Sequence, residues 1–92
     1  MKHEQRLISF SGRTFPAKRV SKQQARLLVS EGQTIYLCPA KIRMPNLWLD
    51  WVYINNEILG RIGSFDYYIF QYQYYTCNRQ IGTYPRYYVE TK

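Results

Sequence analysis

Residues 65–76 read FDYYIFQYQYYT, with seven aromatic rings in twelve positions and neither proline nor glycine. Whether this stretch is strand or helix decides what layers the molecule is built from. Aromatic side chains suit a pleated, half-buried surface, so it reads as a long strand. Strand alternation then sorts its side chains. Asp66, Tyr68, Phe70, Tyr72 and Tyr74 share one face, and Phe65, Tyr67, Ile69, Gln71, Gln73 and Tyr75 share the other. The two glutamines mark the second face as the wetter one, which places Phe70 and Tyr72 inside.

Eight of the ten tyrosines lie between residues 67 and 88. Beyond the ring-rich stretch, a turn at Asn78-Arg79-Gln80 leads into a last strand, IGTYPRYYV (81–89). Proline has no N–H to give a ladder, so Pro85 argues for an edge position. Tyr84, Arg86 and Tyr88 fall on one face of that strand, and an exposed row of this kind is a stacking platform for bases.

On the N-terminal side, LWLDWVYI (47–54) is apolar at nearly every position, as a strand buried on both faces would be. Trp48 and Trp51 point to opposite sides of it. Asn55-Asn56 reads as a tight turn into a short strand, EILGRI (57–62), and Gly63-Ser64 as the next turn. QTIYLCP (33–39) alternates and ends at Pro39. The clearest local signal is VSKQQARLLVSEG (20–32). Ser21 and Gln24 have capping-box spacing, Ala25, Leu28 and Val29 form an apolar stripe, and Gly32 is a stop. A helix of about ten residues follows, too short to stand without a sheet beneath it. RLISFSGRTFPAKRV (6–20) reads as a hairpin turning at Ser11-Gly12. The sum is one domain over residues 1–92: an α+β fold, a mostly antiparallel sheet of about six strands with one short helix (about 21–31) packed on it.

The formal net charge is +7 and is unevenly placed. Residues 1–43 carry nine Lys/Arg against two Glu, whereas residues 44–92 carry four of each sign. That asymmetry points to a polyanionic or acidic partner. The helix start is unusual: Lys18, Arg19 and Lys22 surround a positive pole where acids are favoured. Cations and open N–H groups together suit a phosphate. The expectation is therefore a non-enzymatic module that binds single-stranded or distorted nucleic acid. Lys18, Arg19, Lys22, Arg26, Lys41 and Arg43 would hold phosphates, and Tyr84, Tyr88 and Trp48 would stack on bases. The competing expectation is a small inhibitor or adaptor that sets the same basic face, with Tyr and Trp anchors, against an acidic protein surface. Phages and plasmids often encode such domains against nucleic-acid-handling enzymes.

Other chemistries find little support. The single histidine, His3, assembles no triad, and the carboxylates at 50, 57 and 66 are scattered. Cys38 and Cys77 with one distant histidine match no zinc spacing. No cofactor or metal is expected. No segment approaches the ~20 apolar residues of a membrane span, and the start lacks a signal-peptide core, so a soluble cytoplasmic protein is expected. In that compartment the two cysteines are expected as thiols rather than a disulfide. A monomer and a dimer fit the sequence equally well.

Overall fold

A computed structural model describes residues 5–39, 52–75, 77 and 84–91. The fold is α+β. In chain order the elements are β1 (Gln5–Phe10), β2 (Arg13–Val20), α1 (Lys22–Ser30), β3 (Ile35–Pro39), β4 (Val52–Ile54), α2 (Asn56–Ile62), α3 (Phe65–Tyr72) and β5 (Pro85–Glu90). The sheet is curled, with strand order β1-β2-β5-β3-β4 and every neighbouring pair antiparallel.

Local chemistry explains the first half. Ser11 and Gly12 both take positive φ (55° and 81°), which a two-residue hairpin turn between twisted strands requires. Ser21 accepts from the Gln24 N–H at 3.1 Å while the Gln24 side chain accepts from the Ser21 N–H at 2.9 Å, completing the capping box. At the other end of α1, Gly32 (φ 96°) donates to Val29 and Gln33 donates to Leu28, the double bond of a Schellman stop. Ala25 and Val29 face the sheet.

Residues 65–72 are helical, not extended, and this is the main departure from the sequence reading. Ser64 caps α3 by accepting from the Tyr67 N–H at 3.0 Å, and Asp66 lies in its first turn. Phe65, Ile69 and Tyr72 are buried at helical spacing. With seven rings in the stretch, period 2 and period 3.6 were both satisfied by aromatic residues, so periodicity could not separate them. Tyr72 is inside, as expected, whereas Phe70 is 62% exposed. Residues 57–62 are also helical. Asn55 does not open a hairpin; it caps α2 through the Ile58 N–H at 3.0 Å, and Gly63 ends that helix. Of the expected strand over 47–54, the described part is Val52–Ile54. Trp48 and Trp51 lie outside the described residues, as does the turn at 78–80.

β5 is central rather than at an edge. It pairs with β2 (Ala17↔Glu90 to Val20↔Tyr87) and with β3 (Ile35↔Val89 to Pro39↔Pro85). Pro85 is tolerated because it is the first residue of the strand. β2 and β3 are thus parallel to each other, joined through α1 with β5 between them. β4 and β5 are likewise joined through α2 and α3 with β3 between them. Two split β-α-β units interleave to build the sheet.

The two faces bury different cores. One holds Val20, Ile35, Leu37, Ile54, Tyr87 and Val89 under α1 and α3. The opposite face gathers Ile8, Phe15, Ala17, Tyr36, Cys38 and Tyr88, with Phe10 against them. Among the described residues no helix is long and apolar enough to cross a membrane. Tyr88, with 0% exposure, is among the largest fully buried side chains. Tyr88→Ala is expected to cost about 3–5 kcal/mol. A chain of this length has roughly 5–10 kcal/mol in total, so the urea midpoint should fall by about half with little change in slope.

Candidate functional site

Of the cations expected to seat a phosphate, the four described, Lys18, Arg19, Lys22 and Arg26, do not line up. On α1, Lys22 and Arg26 are four apart and share the flank toward α3. Asp66, at the start of α3, takes both: Arg26 Nη2 at 2.5 Å and Lys22 Nζ at 3.8 Å. The Arg26 hydrogen bond, more than any other influence, holds the Asp66 carboxyl below its ordinary range. Arg26 also lies over the Phe65 ring, 5.6 Å from its centre. Lys18 sits across α1, in a cleft with Gln24, Leu27 and Leu28. The helix therefore separates Lys18 from Lys22 and Arg26, and one phosphate chain cannot follow all three along a single side. Arg19 is half-buried on the face opposite the helices, in register with Tyr88. Lys41 and Arg43 lie outside the described residues.

The expected stacking rings also part company. Tyr84 is 53% exposed. Tyr88 is enclosed between β2 and β3, so its ring has no open side for a base. Trp48 lies outside the described residues.

Among the described residues, the largest group of open rings is on α3 and the wider π-type turn at 73–75 that follows it. Phe70 is one helical turn beyond Asp66 on the same side, so the row begins at the Lys22–Arg26–Asp66 cluster. Phe70 meets Tyr74 edge to face at 6.2 Å, and Tyr74 stacks on Tyr75 at 4.8 Å. Tyr67, held by the Gln71 amide at 2.9 Å, extends the row across the outward side. Toward α2 the row borders a cleft of about 400 Å³ between Ile62 and Tyr68. Tyr68 is anchored by donating to the Tyr53 carbonyl at 2.8 Å, and burial raises its hydroxyl above the usual phenol range. Strand alternation missed this surface because it turned Phe70 inward. The signal that could have found it is the Ser64 cap followed by Asp66 and apolar positions at 65, 69 and 72.

Among the described residues no group of three or more His, Cys, Asp or Glu could hold a metal ion. Cys38 and Cys77 are buried thiols, one in each core and so divided by the sheet. Burial pushes the Cys77 thiol up to about 11. The neighbouring Tyr87 hydroxyl is raised to about 12, first by burial and then by Cys77 and Asp66, against the pull of Arg26. No protein-family model matches the chain, and comparison with curated proteins and with solved structures finds no match.

Two outcomes follow from the buried groups. In the native state an aromatic disulfide reagent at pH 8 should label both thiols slowly, whereas two thiols per chain should react at once in denaturant. Unfolding returns Cys77 and Tyr87 to ordinary values of 9.0 and 10.0. Both groups hold their protons more tightly when folded. Their contribution to stability is thus complete below about pH 9 and is lost as pH rises through about 11 to 12. Thermal midpoints measured from pH 7 to 12 should be flat at first and then fall; a rise above pH 9 would contradict the assignment.

Proposed function

We propose that this chain is a non-enzymatic binding module that grips an acidic protein surface through the outward side of α3. The observation that carries the reading is the continuous row of Tyr67, Phe70, Tyr74 and Tyr75, each at least 44% exposed, beside Lys22 and Arg26. Rings in this number are costly to leave in water and match the composition of binding hot spots, where tyrosine and arginine are enriched. Phe70 and Tyr74 act as anchors, and Lys22 and Arg26 form a rim that steers toward acidic groups. Asp66 favours protein over polyphosphate: an ionised carboxylate between the two cations opposes an unbroken run of phosphates but finds partners on a mixed protein surface.

A second reading, single-stranded nucleic acid, is favoured by the +7 net charge together with exposed Lys18, Lys22 and Tyr84. It uses shorter phosphate contacts on either side of α1 rather than one continuous track.

Capture from lysate with and without nuclease, using the wild type and the Phe70→Ala/Tyr74→Ala double variant, separates the two. A protein partner should survive nuclease and bind the double variant at least ~10-fold more weakly, since two hot-spot rings contribute about 1–2 kcal/mol each. Both positions are exposed, so the variant should melt near the wild-type temperature. Binding to oligonucleotides with a log–log salt slope of roughly −3 to −4, unaffected by the ring substitutions, would replace this reading with the second.

A further inference from the structure

A cleft of about 240 Å³ opens where the β1–β2 turn, the start of β3 and the end of β4 meet. It opens on the side of the sheet that carries the ring core. Its apolar wall is a trio of rings meeting edge to face. Phe10 lies 5.5 Å from Tyr36 at 62° and 5.6 Å from Tyr53 at 75°. Tyr53 is 40% exposed, so the wall has an open ring.

The rim is polar and, among the described residues, carries one cation, Arg13. Two contacts hold it: Nη2 donates to Glu90 at 2.8 Å, and the guanidinium lies 4.7 Å from the centre of the Phe15 ring. A guanidinium has five N–H donors, so these contacts orient it and leave others for a ligand. Glu90 does not line the cleft, and neither does any other acid among the described residues. Across the opening, the Asn55 side-chain oxygen is committed to the Ile58 N–H at 3.0 Å. That bond leaves the Asn55 NH₂ as a donor. The Thr34 hydroxyl completes the rim.

We infer that this cleft binds a small planar anion, an aromatic ring bearing a carboxylate or a phosphate. The ring lies against Tyr53 and Phe10, and the acid group accepts from Arg13, with Asn55 and Thr34 as neutral donors. Charge-assisted bonds from an oriented guanidinium are the strong kind, and a planar ring fits an aromatic wall better than an aliphatic chain does. Three rings also suit a quaternary ammonium, but a fixed guanidinium on the rim repels one. The inference does not depend on the α3 surface.

The test is titration of the ¹⁵N-labelled chain, followed by amide shifts. The probes are phenyl phosphate, benzoate, inorganic phosphate, benzyl alcohol and tetramethylammonium. Phenyl phosphate or benzoate should shift the amides of residues 10–13, 34–36 and 53–55 saturably. Its Kd should be at least ~5-fold below those of inorganic phosphate and benzyl alcohol, and the ratio of the two aryl anions shows which acid group fits better. Arg13→Gln should weaken aryl-anion binding about 10-fold and leave benzyl alcohol unchanged, while Tyr53→Ala should weaken both, a tenfold change being about 1.4 kcal/mol. Equal binding of inorganic and phenyl phosphate, preference for tetramethylammonium, or no saturable shift at these residues by about 20 mM would each overturn the inference.

Discussion

The structure depends on the insertion of β5 between β2 and β3. This strand is the last in the chain and the centre of the sheet, and its ladder bonds reach back about 70 residues, as in Ala17↔Glu90. Remove it and β2 loses its partner on one side, β3 on the other, and each β-α-β unit the strand that fills its gap. Both cores also close on β5. Tyr87 and Val89 are part of the helix-covered core, and Tyr88, between them, is part of the core on the opposite face. Three consecutive residues thus tie the two hydrophobic clusters together, and the long separation in sequence makes this the costliest loop to close on folding.

Placing all the described helices on one face has consequences for the surface. That side must spend Ala25, Val29, Phe65, Ile69 and Tyr72 on the core, and what remains on the outer side of each helix faces solvent. On α1 this is Lys22 and Arg26; on α3 it is a row of rings. Asp66 joins the two helices through Arg26 and Lys22, so the cationic and aromatic surfaces adjoin while the charge between them is partly neutralised. Among the described residues, the cations of the basic half do not make one continuous electropositive track, because α1 stands between Lys18 and Lys22 and because Arg13 is engaged by Glu90. On the other face, ring against ring does the work that helices do on the first, and the open ends of that cluster at Phe10 and Tyr53 leave a cleft instead of a flat platform.

Elements whose ends are written in short-range chemistry were legible in the chain itself. The Ser11-Gly12 hairpin, the Ser21/Gln24 cap, the Gly32 stop and the β3 strand each rest on interactions within a few residues, and they appear where those residues put them. The α+β class followed from them; the burial of Tyr72 was read from strand alternation, and it holds because Tyr72 shares the sheet-facing side of α3 with Phe65 and Ile69. Residues 57–72 were less legible. Asn55 and Ser64 are caps, but Asn-Asn and Gly-Ser pairs also make turns, and tyrosine is amphipathic enough to satisfy either periodicity.

Which of the two periodicities prevailed was decided by packing, because a helix lets Phe65, Ile69 and Tyr72 reach the sheet together whereas a strand would have split them between faces. The same tertiary choice exposed Phe70, buried Tyr88 and moved Pro85 from edge to centre, since all three depend on where β5 inserts and what α3 covers. Composition and local spacing determined the hairpin, α1 and β3 and the stock of rings and cations. Only long-range contacts, made between positions far apart in the chain and therefore silent in any short window of it, determined which rings and cations share a surface.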